Sequence, residues 1–229
     1  LFRSGHREQG LLLLRGALAD SDGQQRRSLL QSLLVESDSA EELYAILPDA
    51  AAIDELLDLL GGSTPPRWPL LRALTAKLLA ERPTQDLSVA VWLGRSALAL
   101  RDPASAATAA GALLQAPAYV PGLLFADLAD LLGDAGRADE AEALLRKALE
   151  RGDGAEILLS LARLALRRDA VDEGRALLER ALSRSEAAAL TARIHEVYGE
   201  LEARAGNPYQ ATEHRRESAR LRVPVAEQP

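Results

Sequence analysis

The sequence has no cysteine and few aromatic residues among its 229 positions, and each deficit excludes something. Without cysteine the chain forms no disulfide, offers no thiolate nucleophile and binds no metal through sulfur, so cysteine usage leaves the cellular compartment open. Aromatic residues are 3% of a chain that is 48% hydrophobic, so leucine and alanine must fill the core. With few β-branched residues and no alternating apolar and polar run, this composition predicts an all-α fold.

Long apolar runs and an excess of positive charge are missing as well. The longest apolar run, Val89 to Leu93, is far too short to cross a bilayer, and no secretory signal pattern opens the chain. We therefore expect no direct membrane insertion of this segment. The net charge of −7 argues against a nucleic-acid partner, because a nucleic-acid-binding domain needs a basic face to neutralise phosphates.

Lysine and arginine are absent between Ser28 and Pro66, whereas this stretch carries eight acidic residues. One interpretation is a solvated helical face, and the other is an acidic docking patch for a basic surface of a partner. The second interpretation centres on one short helix with three acids, which we call the acidic patch: Asp54, Glu55 and Asp58.

Small residues recur at a fixed spacing, at the places where two antiparallel helices would cross. The stretch from Leu123 to Glu150 holds two amphipathic helices and one tight turn, with small residues at Ala129, Gly136, Ala141 and Ala148. A shift of 33 residues gives Ala162, Asp169, Gly174 and Ala181; a further 37 gives Gly199, Gly206, Ala211 and Ser218; and 35 in the other direction gives Gly94, Arg101, Ala106 and Leu113.

This pattern resembles the tetratricopeptide repeat (TPR) family, whose period is about 34 residues, over roughly Leu87 to Leu221. The resemblance implies a right-handed α-solenoid of about six antiparallel helix hairpins. It further implies a concave groove, lined by the first helix of each hairpin, that holds another protein or a peptide. It implies no chemistry and no cofactor.

Along the chain, the pattern predicts one TPR-like domain over 1–222, with irregular repeats over 1–86, regular repeats over 87–222 and a disordered tail over 223–229. The array is expected to start in mid-repeat, with Gly5 at a turn and Gly10 and Ala17 at crossings. Ala73 and Ala80 repeat the small pair of a second helix. The GGSTPP stretch at 61–66 is the strongest breaker and the predicted flexing point, and Pro83 ends a helix. Among the regular repeats, the predicted helices include Leu87 to Leu100 and Ala138 to Arg151.

Residues able to carry catalysis are scattered. The histidines His6, His195 and His214 fall in separate repeats without a second ligand at metal spacing, and the position one turn after His195 and Glu196 is Gly199. We expect His195 to be a packing or groove-lining residue. The sequence therefore predicts no metal site and no enzymatic activity.

Charged residues that lie four and eight positions apart on the first helices share one exposed face. This spacing selects a predicted groove set: Arg95, Asp130, Asp134, Arg163, Arg167, Glu196, Glu200 and Arg204. In one interpretation the two arginines of a repeat bind a partner's carboxylates, and the two aspartates of the preceding repeat bind a basic residue. In the other, these opposite charges neutralise one another between neighbouring hairpins. Trp92 is either a core residue or an exposed aromatic anchor, and we favour the core.

The leading functional hypothesis is a non-catalytic scaffold that docks another protein. By analogy with repeat proteins rich in leucine, alanine and arginine, that partner is an enzyme or assembly factor of a bacterial envelope or exopolysaccharide export complex, which favours a periplasmic over a cytoplasmic location. The alternative is a regulatory module that senses a peptide or ligand and is attached to a transcriptional or catalytic domain. The sequence does not indicate an oligomeric state.

Overall fold

A computed structural model describes residues 7–81, 87–152 and 154–222 of the chain. Thirteen α-helices and no strand occur in these ranges, so the predicted all-α class is confirmed. None of the helices there combines the length and apolar character needed to cross a membrane. The expectations for Gly5, His6, Pro83 and the 223–229 tail lie outside the described residues.

The chain divides into two compact units, the first running to Ala118 and the second starting at Tyr119. This boundary lies between the seventh and eighth helices. The sequence analysis expected one domain over 1–222 and placed the flexing point at 61–66, which lies inside the first unit.

Unit 1 contains seven helices in two rows. The helices are α1 (Arg7–Asp20), α2 (Gly23–Glu36), α3 (Ala40–Ile46), α4 (Ala50–Gly62), α5 (Trp68–Glu81), α6 (Leu87–Leu100) and α7 (Pro103–Gln115). In one row α3 packs between α1 and α5, and in the other α4 packs between α2 and α6. The core between the rows is mainly leucine, with Leu30, Leu43, Leu56 and Leu74 fully buried.

Unit 2 contains three antiparallel hairpins. Its helices are α8 (Gly122–Asp134), α9 (Ala138–Arg151), α10 (Ala155–Arg167), α11 (Val171–Arg184), α12 (Ala188–Arg204) and α13 (Pro208–Arg222). The first helices of the hairpins lie side by side, because α10 packs against both α8 and α12. The second helices α9, α11 and α13 each pack against the first helix of their own hairpin. Leu158, Ala162, Ile194 and Leu201 are buried in the core of this unit.

Four hairpins leave their first helix through the same backbone turn. The turn residue has a positive φ in each hairpin, at Arg101 (52°), Gly136 (79°), Asp169 (56°) and Gly206 (79°). The N–H of the following residue bonds to the carbonyl five positions back, for example Arg137 N to Leu132 O at 2.9 Å and Ala170 N to Ala165 O at 3.0 Å. This is the Schellman ending of a helix. The backbone therefore repeats even where arginine or aspartate replaces glycine.

The small residues within the helices of the regular repeats are buried as predicted, whereas Gly136 and Gly206 lie exposed at the turns. Gly174 shows the reason, since a Cβ added there would lie 2.7 Å from Leu201 Cδ1 on the next hairpin. In the irregular half the prediction is wrong for Ala17, Ala73 and Ala80, which are all exposed, whereas Gly10 is buried as expected. Leucines supply the buried contacts of those helices instead, including Leu18 on α1.

The GGSTPP stretch begins inside a helix, which the sequence analysis did not expect. Helix α4 continues through Gly61 to Gly62, and the turn after it is fixed by hydrogen bonds from Ser63 Oγ to Leu60 O (2.8 Å) and from Arg67 N to Leu60 O (3.1 Å). A Cβ on Gly61 would overlap two ring carbons of Trp92 on α6. Gly61 is therefore a site of close packing between two helices rather than only a helix breaker.

Candidate functional site

The first helices of unit 2 form a continuous polar surface, which we call the first-helix face: the exposed side of α8, α10 and α12. Intervals of three and four residues place Asp127, Asp130 and Asp134 on one side of α8, and Arg163 and Arg167 on one side of α10. Seven of the eight residues in the predicted groove set belong to these three helices. The eighth, Arg95, lies on α6 in unit 1.

Two ion pairs join α8 to α10 across the face. Arg163 Nη1 lies 2.7 Å from Asp130 Oδ2, and Arg167 Nη2 lies 2.8 Å from Asp134 Oδ1. The side chains of the Asp130–Arg163 pair are only 27–28% exposed, so it is the less solvent-screened of the two pairs. The mutual neutralisation that the sequence analysis gave as one alternative is therefore the arrangement in the unbound chain.

The predicted residues on α12 also have partners within unit 2. Arg204 donates to Leu166 O at 2.8 Å and to Glu200 Oε1 at 2.8 Å, so it ties α12 to the end of α10. Glu196 pairs with Arg222 near the end of α13, away from the other members of the set. The structure thus brings Glu200 and Arg204 to the face and directs Glu196 to the neighbouring helix.

Two charged residues on the face were missed by the sequence analysis. Asp127 on α8 and Arg193 on α12 are both half-buried. Burial raises the pKa of the Asp127 carboxyl, and the negative charge of Asp130 adds to this, while Arg193 and Arg163 act in the opposite direction. Among the described residues, the side chains of Asp127 and Arg193 form no hydrogen bond and no ion pair. The position of Asp127, three residues before Asp130, was the available signal.

Arg95 and Trp92 lie together on α6. The Arg95 guanidinium stands 4.9 Å from the centre of the Trp92 ring, and the ring packs against the core of unit 1. The core assignment of Trp92 is therefore confirmed. Arg95 lies over the Trp92 ring in a cation–π contact.

Much of the acidic stretch in unit 1 is used inside the fold. Asp49 caps α4 by accepting from Ala52 N at 2.8 Å, Asp38 pairs with Arg67 at 3.0 Å, and Asp54 of the acidic patch accepts from Ser88 on α6. Glu55 and Asp58 form no hydrogen bond or ion pair within the described part of the chain. Asp58 lines a cleft of about 380 Å³ between α2 and α4.

The separation of His195 and His214 into different repeats is a wrong prediction. Their Nδ1 atoms lie 2.9 Å apart, because α12 and α13 are the two helices of one hairpin. The His214 ring also stacks on Tyr198, with ring centres 4.1 Å apart. Burial lowers the pKa of both imidazoles, and the proximity of His195 lowers that of His214 further. The expectation that His195 is a packing residue is consistent with these contacts.

A second buried cluster links three helices of unit 2. The Glu202 carboxylate is 1% exposed and accepts from Arg175 Nε at 2.9 Å and from Asn207 Nδ2 at 2.7 Å. Burial alone would raise the pKa of Glu202, but these hydrogen bonds and the Arg175 charge outweigh it and lower the pKa. The cluster therefore holds α11, α12 and the start of α13 in a fixed arrangement.

Comparison with known proteins identifies the fold. No protein-family model matches the sequence. No curated protein matches it either. Two crystal structures of MamA superpose with TM-scores of 0.56 and 0.57 at 14% sequence identity, covering 69% and 73% of this chain and 90% and 91% of MamA.

YrrB, a TPR protein with an unusual peptide-binding site, superposes with a TM-score of 0.55 at 15% identity, covering 84% of this chain and 92% of YrrB. At these identities the similarity concerns the fold. The TPR-like arrangement of helix hairpins expected from the sequence is confirmed.

Proposed function

We propose that this chain is a scaffold that docks another protein or a peptide on the first-helix face of unit 2. The observation that carries the proposal is the double ion pair between α8 and α10, which holds four charged side chains at fixed positions on one exposed surface. A partner can bind such a surface without the entropy cost of ordering these four side chains, because the ion pairs already hold them in place. The shared fold with YrrB, which has a peptide-binding site, supports the same use of the face.

The proposed role is non-catalytic. The acids and bases that the sequence analysis placed on the face are engaged with one another or with backbone carbonyls, for example Arg204 with Leu166 O. Paired charges of this kind suit the recognition of a charged partner. The proposed partner is an enzyme or assembly factor of a bacterial envelope or exopolysaccharide export complex. This part of the proposal rests only on the analogy with repeat proteins that are rich in leucine, alanine and arginine. The regulatory alternative would use the same face for a peptide or ligand.

A charge swap tests the face without unfolding it. Reversing only the arginines would set acid against acid, so the variant combines Asp130→Arg, Asp134→Arg, Arg163→Asp and Arg167→Asp. Both ion pairs can re-form with the charges exchanged, and the pattern presented to a partner is inverted. We expect proteins captured by the wild-type chain to be lost from this variant, as measured by quantitative affinity capture.

The matched control exchanges an ion pair outside the first-helix face. Glu213 and Arg216 on α13 pair at 2.8 Å and are exposed, so Glu213→Arg with Arg216→Glu makes the same kind of change on a second helix. This control should capture the same proteins as the wild type. Capture by the face variant that equals that of the control would show that partners do not bind the first-helix face.

A further inference from the structure

We infer that Asp127 and Arg193 select the partner, which is a peptide segment carrying a lysine or arginine for Asp127 and an acidic residue for Arg193. This inference rests on the proposed docking function and names residues and partner chemistry that the ion-paired set does not supply. The segment would cross α10, since Asp127 lies on α8 and Arg193 on α12.

The charged residues next to Asp127 on α8, and those opposite them on α10, already have partners. Asp130 is bound by Arg163, and Asp134 by Arg167. A peptide side chain that displaced Asp130 or Arg163 from its pair would leave a half-buried charge behind, which offsets most of the gain, so the pairs are expected to stay intact while a partner binds beside them. Asp127 and Arg193 can bind without such an exchange, because neither side chain forms a hydrogen bond or an ion pair in the described part of the molecule.

The surroundings of the Asp127 carboxylate favour a cationic partner. It is half-buried, so its ionised form is already partly desolvated, and burial and Asp130 together raise its pKa. A lysine or arginine of a peptide would supply the missing hydrogen bonds and the opposite charge. Such charge-assisted hydrogen bonds are stronger than hydrogen bonds between neutral groups. Binding would also require little further desolvation of the carboxylate, because it is already half-buried in the free chain.

Asp127 and Arg193 also interact electrostatically at long range. Arg193 lowers the pKa of Asp127 through its charge, although the two side chains form no ion pair. Because α10 packs between α8 and α12, Asp127 and Arg193 place opposite charges on either side of α10. A bound segment with its own basic and acidic side chains is electrostatically complementary to this region, whereas one with a single kind of charge meets repulsion at one end.

The experiment selects peptides from a displayed library of random 12-residue sequences, with the full 229-residue chain as bait. The wild type should enrich sequences that carry lysine or arginine together with an acidic residue. Asp127→Lys should change the enriched residue from basic to acidic, and Arg193→Glu should change the acidic preference to a basic one. Glu150→Lys, an exposed acid on the second helix α9, is the matched control and should leave the selection unchanged.

A conservative variant measures the contact itself. For one enriched peptide, we expect Asp127→Asn and replacement of the peptide's basic residue by glutamine each to weaken binding about tenfold, and the two changes together to weaken it no more than either alone. Thermal unfolding of Asp127→Asn and Asp127→Lys establishes that both variants are folded.

The outcomes separate this inference from the proposed function. Enrichment without a basic preference, or with a basic preference that survives Asp127→Lys, overturns the role of Asp127 and leaves docking on the face in place. No enrichment by the wild type, together with unchanged capture by the charge-swapped variant, overturns both. Self-association of the wild-type chain that Asp127→Lys abolishes would make a second copy the occupant and overturn the peptide assignment.

Discussion

Helices α4 and α6 pack closely because Gly61 has a hydrogen atom where other residues have a Cβ. The Trp92 ring occupies the space where a side chain at Gly61 would begin, whereas a Cβ on Gly62 would meet nothing within 4 Å. Adjacent glycines in one helix therefore have different roles. The sequence could not distinguish them, because the distinction depends on a tryptophan that lies 31 positions away from Gly61.

Alanine at these two positions should have opposite effects on stability. Gly61→Ala forces the Trp92 ring to move and should cost about 1–3 kcal/mol of unfolding free energy. Gly62→Ala adds a better helix former in open space and should stabilise by up to about 1 kcal/mol. Urea denaturation of both variants measures this, and a shift of the same sign in both would show that the Trp92 contact is wrongly placed.

The raised pKa of Asp127 should also affect how the stability of the free protein depends on pH. The raised pKa means that the folded chain holds its proton to higher pH than the unfolded chain does, so stability falls as pH rises from the ordinary aspartate value through the folded value. At pH values above the folded pKa of Asp127, the ionised carboxylate destabilises the fold to its full extent. We expect Asp127→Asn to raise the melting temperature at pH 7 and to lose this advantage at pH 3. An advantage that is the same at both pH values would contradict the desolvated carboxylate.

At the scale of an element, the helix endings explain why the regular repeats were predictable. Leu87 to Leu100 and Ala138 to Arg151 were placed at their observed bounds, because leucine periodicity marks the helix and the turn chemistry marks its end. Arg101 and Asp169 looked like departures from the pattern, yet both adopt the positive φ of the glycines. The repeated feature is the backbone hydrogen bond, and side chains indicate it only in part.

Exchanging residues at these turns should reveal the backbone strain. Gly136 has open space around it, so Gly136→Ala adds only the cost of a left-handed residue with a side chain, about 1–2 kcal/mol. Arg101→Gly removes that strain and should stabilise by up to about 1 kcal/mol. Chemical denaturation compares the variants with Gly16→Ala, a change in open space within a helix; a neutral Gly136→Ala would mean that the turn tolerates any residue.

The start of α7 depends on a carboxylate shared between helices. Asp102 caps α7 by accepting hydrogen bonds from Ala104 N and Ser105 N. Its carboxylate also pairs with Arg72 of α5 at 2.7 Å. The hydrogen bond from Arg72 is the largest cause that lowers the pKa of Asp102 to about 2. A lowered carboxyl pKa stabilises the fold above the ordinary aspartate value, and this contribution disappears as pH falls through about 2.

Asp102→Asn keeps a capping side chain and removes the charge. With allowance for solvent screening of the 42% exposed Arg72, we expect it to cost about 1–2 kcal/mol at pH 7. The difference from the wild type should shrink between pH 4 and pH 2 in a series of urea denaturation curves. A difference that is independent of pH would assign the cost to hydrogen-bond geometry and not to the carboxylate charge.

At the scale of the whole molecule, the hairpins could be predicted from the sequence, but their grouping into two units could not. Each hairpin has a local signature in leucine spacing and turn residues. Unit membership depends on contacts between helices far apart in the chain, and so does the pairing of charges. The sequence placed Arg163 and Asp130 on one face without deciding whether they meet. It also missed Asp127 and Arg193, whose side chains form no hydrogen bond or ion pair with the residues that the structure describes.

The unit boundary predicts which fragments fold well. Residues 119–222 contain the three hairpins of unit 2 with their own core, whereas 87–184 contains three hairpins taken from both units. We expect 119–222 to be helical and to melt more than about 5 °C above 87–184, as followed by circular dichroism. Equal melting temperatures would mean that any three neighbouring hairpins are equivalent.

The ion pairs between α8 and α10 also constrain how such an array can grow. Asp130 and Arg163 stand at equivalent positions of successive hairpins, as do Asp134 and Arg167, so the sign of the charge changes from the first hairpin of unit 2 to the second. Duplicating α8 and α9 alone would place carboxylate against carboxylate at two points of the new junction. Duplicating α8 to α11 as a block would restore an arginine opposite each aspartate within the copy. We therefore expect stable longer arrays to arise by duplication of two hairpins at a time, because only then does each aspartate keep an arginine opposite it.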